Sequence, residues 1–392
     1  MTSVVVVDAV RSPIGRKGGG LSTMHPADLL AAVLNALLAR TGVDPSLVEQ
    51  VVGGSVSQVG EQSYNVIRTG WLTAGLPVSA AGTTVDTQCG SSQQAVNLAA
   101  ALITAGVIEC AVVCGVEVMS RVPIGIGSSS KLGMGVPLSK QYFARHEFTT
   151  QFESAERIAD RWGITRLEAD QFGMESQRRA KDAWAQGWFD GQLIPIDATD
   201  RDEGGKLTGT THRVERDEGL RETTLESLAQ LAPVARTDGV HTAGTSSQIS
   251  DAAAAALLMS SAMAVRLELA PRARIVDTCL VGVDPVMNLT GPIDATRRLL
   301  GRNHLTMDDL DVVEINEAFA SIVLAWAREL QPDMARVNPN GGAIALGHPL
   351  GATGVILLAK ALDELDRVNG HRGLVTMCCG GGLGTGTIVE RI

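Results

Sequence analysis

The chain repeats itself, and that repetition constrains its fold more than any other feature. "VVVVDAVRSPIG" near the start has a counterpart in "ARIVDTCLVGVDP" from Ala273. In each copy a Val-Val strand follows a segment of leucine and acidic residues. Each copy then has a helix reached through a glycine-flanked turn, at Cys89-Gly90 and at Gly347-His348. Each closes on a strand that ends in Gly after Cys. This pattern reads as an internal duplication. Within the first copy, Val4–Val10, Val51–Val59 and Cys110–Val118 predict strands. Ala27–Arg40, with Gly42 as a C-cap, and Ser91–Thr104 predict helices. In the second, Arg274–Val281, Val312–Ile315 and Leu374–Cys379 predict strands, and Ala295–Leu300, Ala318–Leu330 and Gly351–Leu365 helices. Alternating β and α elements predict a mostly parallel sheet covered by helices on both faces.

Residues 118–250 fit neither copy and are expected to form an inserted loop subdomain. They hold the loop "GIGSSSKLGMG", helical patterns over Ser154–Trp162 and Arg166–Trp188, and a polar stretch, Asp197–Gly219, expected to be a solvated loop. Ala252–Leu269 is expected to be a buried helix that returns the chain to the first copy. The resulting organisation is an N-terminal half of 1–117 plus 251–270, a loop subdomain of 118–250 and a C-terminal half of 271–392. At 392 residues and 45% hydrophobic, the chain can bury a large core, and 43 glycines allow close packing of helices and sheets. A net charge of −10 offers no basic stripe for nucleic acid. The longest apolar run, Ala252–Val265, is too short for a bilayer. Six cysteines without disulfide or metal spacing, and no export signal, predict reduced thiols in the cytoplasm and no metal site.

Four segments carry chemistry. "VDTQCGSSQQA" puts Cys89 at a sharp turn before a helix, where free N–H groups and the helix dipole favour a thiolate or an acyl oxyanion. A buried, inert thiol would also fit that segment. "NGGAIALGHPLGATG" places His348 among glycines at the start of a helix, suited to take a thiol proton. "MCCGGGLGTG" ends a strand with Cys378 and Cys379, whose side chains must point to opposite faces, before glycines that can lend N–H donors. In "VVEINEAFAS", Asn316 is either a helix N-cap or a holder of a water or carbonyl in a site.

Together with "HTAGTSSQISDAAAA" from His241, these segments resemble the thiolase family over essentially the whole chain. The resemblance implies an α/β thiolase fold, two duplicated βαβαβαββ halves in a layered α-β-α-β-α core with an inserted loop subdomain. It implies that Cys89 is the nucleophile, His348 its base and Cys378 the acid/base. Asn316 would hold an oxyanion water, and the N–H groups of Cys89 and Gly380 would form a second oxyanion hole. Cys379 would only pack. Coenzyme A would be a substrate, with no tightly bound cofactor. It would lie along the loop subdomain, with Arg221, Thr224 and Ser227 near its nucleotide end, Ser247 on its pantetheine, and Ala318 and Phe319 lining the tunnel. An exposed helix face is the other reading of Arg221 and Ser227. Partners would be acyl-CoA, CoA and further copies of the chain, as a homodimer or homotetramer, with no nucleic acid and no membrane. Where short-chain acetoacetyl-CoA thiolases carry a His-Met-Gly-type phrase, this chain has "TTQFESAER", which resembles actinobacterial degradative thiolases, including the steroid side-chain type. Thiolytic cleavage of a 3-ketoacyl-CoA is therefore expected, with acetoacetyl-CoA synthesis as the alternative. A bulky acyl chain would need room from the loop Gly125–Gly135. A ketoacyl synthase would need a second catalytic histidine where this chain has Cys378 and Asn316. A non-catalytic complex subunit would make no demand on the intact set.

Overall fold

The structure, a computed structural model, describes residues 2–128, 133, 135–202 and 204–392. The first copy runs β1 (Val4–Arg11), β2 (Gly15–Arg16), α1 (Pro26–Thr41), β3 (Gln50–Gly54), α2 (Val66–Thr73), β4 (Ala81–Val85), α3 (Ser91–Thr104) and β5 (Cys110–Val118). The inserted segment adds α4 (Lys140–Phe143), α5 (Gln151–Trp162), α6 (Arg166–Ala185), β6 (Ile196–Arg201), β7 (Leu207–Val214) and α7 (Leu225–Ala229). The chain returns through β8 (Ser250–Ser260) and α8 (Ser261–Arg266). The second copy runs β9 (Ala273–Gly282), α9 (Gly291–Asn303), β10 (Val312–Ile315), α10 (Ala320–Leu330), α11 (Ala343–Leu346), α12 (Thr353–Arg367), β11 (Arg372–Cys379) and β12 (Leu383–Arg391).

The duplication is written into the strand order. The first copy pairs as β1-β8-β5-β3, and the second as β9-β12-β11-β10. In both, the first two pairings are antiparallel and the third is parallel. The first copy adds β4 beside β3. The second has only an isolated parallel bridge, Val313 to Val337, at the matching edge. Three residue pairs between β1 and β9 join the copies into one hydrogen-bonded sheet. Helices α3 and α12 lie between the two halves of that sheet, packed with residues of β5, β8 and β11. Helix α1 covers the outer face of the first half, and α9 and α10 that of the second. The result is the five-layer α-β-α-β-α core. Among the described residues, no helix is long and apolar enough to cross a membrane.

The expectation of a mostly parallel sheet is corrected, because only β3–β4, β3–β5 and β10–β11 run parallel. The strands that close each copy return antiparallel. One of them, β12, hides in a glycine-rich stretch that carries no strand signature. The helix expected over Ala252–Leu269 is instead strand β8 followed by the short α8. Alanine favours helix, and a run apolar at every position shows no period. Here the strand is central and covered on both faces. Ala252, Ala254 and Ala256 face the α3/α12 layer, and Ala253 and Ala255 face α1. Small side chains let helices approach both sides. The polar stretch expected to be a loop contains the β6–β7 hairpin. Ile196, Ala198 and Val214 anchor it on the outer core, and His212 bonds Asp200 across the hairpin (2.5 Å) and ties it to the Gly20 carbonyl (2.9 Å).

Candidate active site

Cys89 sits one residue before Gly90, the N-cap of the 14-residue α3. The turn that presents it is built locally. Gln88 adopts a left-handed φ of 51°, and its N–H donates to Asp86 Oδ1 at 2.8 Å. Ser91 Oγ accepts from the Thr87 N–H (2.9 Å) and donates to the Gln88 carbonyl (2.5 Å). A left-handed non-glycine residue next to a thiol is a place where a fold holds strain for function. The sulfur is 3% exposed, and burial pushes its pKa up from 9.0 to about 11. Against that, the backbone amides of Gly380 and of Cys89 itself pull the pKa down and favour the thiolate.

Cys378 and Cys379 end β11 and face opposite ways, as strand alternation requires. Cys378 packs with Ala318, Phe319 and Leu289, while Cys379 packs with the α3/α12 layer. Burial raises the Cys378 thiol well above its ordinary value. The neighbouring Cys89 and Cys379 add to that, and the Asn316 side chain opposes it. Cys379 fills the space beneath Gly90, where any Cβ would lie 2.5 Å from its sulfur.

Asn316 joins the remaining groups. It is fully buried after β10, and its Nδ2 lies 3.3 Å from His348 Nε2. It is not an N-cap, because α10 begins at Ala320 with Phe319 before it. Its Oδ1 has no partner among the described residues. His348 Nδ1 lies 2.7 Å from Thr353 Oγ1, which donates its own proton to the Pro349 carbonyl at 2.9 Å. Thr353 must therefore accept from Nδ1–H, leaving the Nε2 lone pair turned to Asn316. Burial moves the His348 pKa from 6.5 down to about 4, so the imidazole is neutral near pH 7. His348 makes no direct hydrogen bond to Cys89. Asn316 bonds His348 and also lowers the pKa of the Cys378 thiol.

Sequence reasoning missed three residues here. The Thr353 hydroxyl, one turn after His348, was visible but unassigned. Glu117, buried at the end of β5, accepts N–H groups from Val56, Ser57 and Gly351 and so ties the His348 loop to the first copy. Gln151, at the start of α5, overhangs Gly380: a Cβ at 380 would lie 2.7 Å from its Nε2.

The residues expected to contact CoA form a line that reaches the cysteines. Ser247 N–H donates to the Ala318 carbonyl, and Ser246 bridges to Phe319. One residue on, the Gln248 carbonyl accepts the His348 N–H at 3.2 Å. In the other direction Arg221 Nη2 donates to the Ala243 carbonyl. No carboxylate pairs with Arg221 among the described residues, and burial alone lowers its pKa. Thr224 and Ser227 cap α7 with each other's side chains, so their hydroxyls already have local partners. Of the Gly125–Gly135 loop, residues 129–132 and 134 lie outside the described residues.

A duplicated α/β fold that brings a helix-start thiol, a second thiol and an Asn–His pair into one buried cluster defines an acyl-transfer enzyme. The chain belongs to the thiolase family. The family's N-terminal domain matches residues 4–262 and its C-terminal domain 269–391. The steroid 3-ketoacyl-CoA thiolase FadA6 of Mycobacterium tuberculosis is 44% identical, over all of this chain and 95% of that one. A β-ketoadipyl-CoA thiolase of Pseudomonas aeruginosa is 41% identical over 99% of both chains. The solved acetyl-CoA acetyltransferase of Bacillus anthracis superposes with a TM-score of 0.91 at 36% identity, covering 100% of this chain and 99% of that one. The protein is thus a thiolase, an acyltransferase of the class that cleaves 3-ketoacyl-CoA.

Proposed function

We propose that the protein cleaves a 3-ketoacyl-CoA through a Cys89 acyl-enzyme. The observation that carries this reading is Cys89 at the start of the 14-residue α3, packed against the Cys378–Cys379 end of β11. His348 takes the Cys89 proton. The thiolate then attacks the 3-keto carbon, and the N–H groups of Cys89 and Gly380 hold the resulting alkoxide. The C2–C3 bond breaks, and Cys378 gives its proton to the departing enolate carbon of acetyl-CoA. The Cys378 thiolate then takes the proton of the CoA thiol, whose sulfur attacks the Cys89 thioester; the Cys89 thiolate leaves and recovers its proton from His348, and CoA departs as the shortened acyl-CoA. The unpartnered Asn316 Oδ1 supports the water assignment. A buried acceptor of this kind binds one O–H of a water, whose other O–H can donate to the enolate oxygen.

CoA lies along the inserted segment, 118–250, with Arg221 as its anion contact and Ser247, Ala318 and Phe319 on its arm. An exposed arginine with no carboxylate partner among the described residues, beside a cleft of about 240 Å³ lined by Gln177 and Lys181, supports this. Thr224 and Ser227 contribute less, since they cap each other. The open edge of β4, with Tyr64 94% exposed beside it, supports a homodimer or homotetramer. Six free cysteines fit a cytoplasmic setting.

Gln151 and Phe152 stand where acetoacetyl-CoA thiolases carry their His-Met-Gly-type phrase, and the likeness to FadA6 favours a degradative role with a bulky acyl group. The likeness to an acetyl-CoA acetyltransferase favours the synthetic direction as a second reading. Comparing kcat/KM for acetoacetyl-CoA with that for long-chain and cyclic 3-ketoacyl-CoAs decides between them. A clear preference for acetoacetyl-CoA would overturn the degradative reading.

Thr353 offers a separate check on His348. Thr353→Val keeps the shape and removes the acceptor that sets the tautomer. Thiolysis is expected to slow on the order of 10²-fold, and Thr353→Ser to stay near wild type. A valine variant within twofold of wild type would mean that Thr353 does not orient the base.

A further inference from the structure

The catalytic glycines 380–382 have little to hold them in place. Gly381 and Gly382 both have positive φ, 84° and 80°, and glycine is the most mobile residue in a chain. The segment following β9 grips them. Val283 N–H donates to the Gly382 carbonyl at 2.7 Å, and Gly382 N–H donates to Asn288 Oδ1 at 2.9 Å. Asn288 is buried and itself left-handed, with φ 50°. The same segment is tied to α5, because buried Ser154 Oγ donates to the Met287 carbonyl at 2.5 Å. Three residues earlier on α5, Gln151 overhangs Gly380 from the other side. The glycine loop is thus held from one side by Asn288 and from the other by the first turn of α5.

The geometry points to Asn288 as a positioning residue that aims the Gly380 N–H at the oxyanion, anchored through Met287 and Ser154 to helix α5. This rests on the proposed roles of Cys89 and Gly380. A fixed donor stabilises a developing oxyanion far better than one that must be ordered during the reaction, and a misplacement of about 1 Å costs on the order of 10²-fold. Asn288 touches no reacting atom. Its loss acts by freeing Gly382, and through it Gly380.

Two substitutions separate the hydrogen bond from the backbone conformation. Asn288→Gly accepts φ 50° without strain and deletes the acceptor. Asn288→Asp keeps an oxygen for the Gly382 N–H. The glycine variant is expected to lose about 10- to 100-fold in kcat with KM for CoA within about twofold. Cys89 should also react more slowly with iodoacetamide at neutral pH, because a stray Gly380 N–H no longer favours the thiolate. The aspartate variant should recover most of kcat. A glycine variant with kcat within twofold of wild type, or an aspartate variant as impaired as the glycine one, would overturn the assignment. Cys89→Ala run alongside separates the two layers. If it still turns over, the underlying reading fails. If it is inactive while Asn288→Gly is fully active, only the role of Asn288 fails.

Discussion

Replacing Cys89 with alanine is expected to remove acyl-enzyme formation and to lower turnover by roughly 10⁴-fold or more. Mixed with acetyl-CoA or a 3-ketoacyl-CoA, wild type should release a stoichiometric burst of CoA or acetyl-CoA and gain the mass of the acyl group. The variant should do neither. The loss follows from chemistry rather than from folding. The thiol is buried in the α3/α12 layer, so deleting one sulfur costs about 1 kcal/mol of packing. The turn itself is held by Asp86 and Ser91, which remain. No other group can take over. Cys379 is beneath Gly90, and Cys378 faces the Phe319 side of the strand. An acyl adduct on the alanine variant would place the nucleophile elsewhere.

Cys378→Ala should separate the two halves of the reaction. Cys89 and His348 are intact, so acetyl-CoA should still acylate Cys89 and show the same mass gain. Proton transfer at the α-carbon should fail, lowering turnover by about 10³-fold. Deuterium from solvent should no longer enter the acetyl methyl group. Burial and the nearby Cys89 hold the Cys378 thiol protonated, which suits a group that must first donate to an enolate carbon. His348 cannot substitute, because in the proposed mechanism it is committed to the Cys89 proton, which it must return when the Cys89 thiolate leaves. Full turnover by this variant would refute the acid/base assignment. Cys379→Ala is the control, since that thiol only packs.

The proposed catalytic cysteines and histidine were legible because each sits where glycine and a turn interrupt a regular element. Cys89-Gly90, Gly347-His348 and the Cys-Cys-Gly-Gly-Gly run all mark a chain bending sharply toward something. The supporting residues were not legible. Thr353, Glu117 and Asn288 act through single hydrogen bonds across large separations in sequence, and a lone Thr, Glu or Asn has no local pattern to betray that. The strands were misread where the environment outweighs propensity. Five alanines in β8 look helical until both faces are known to be covered, and β12 alternates glycine with threonine because α9 and α3 press on it.

The seam between the copies also dictates when the molecule can close. Strand β1 precedes every other described element along the chain, and all eight of its residues are buried. Its two hydrogen-bonding neighbours are β8, near residue 255, and β9, near 274. On a ribosome adding about 5–20 residues per second, the opening Val-Val-Val-Val therefore waits on the order of ten seconds or more without a partner edge. A sticky valine strand thus stays unpaired while the insertion is made, and the nascent chain depends on whatever shields that strand until the insertion has been synthesised and passed.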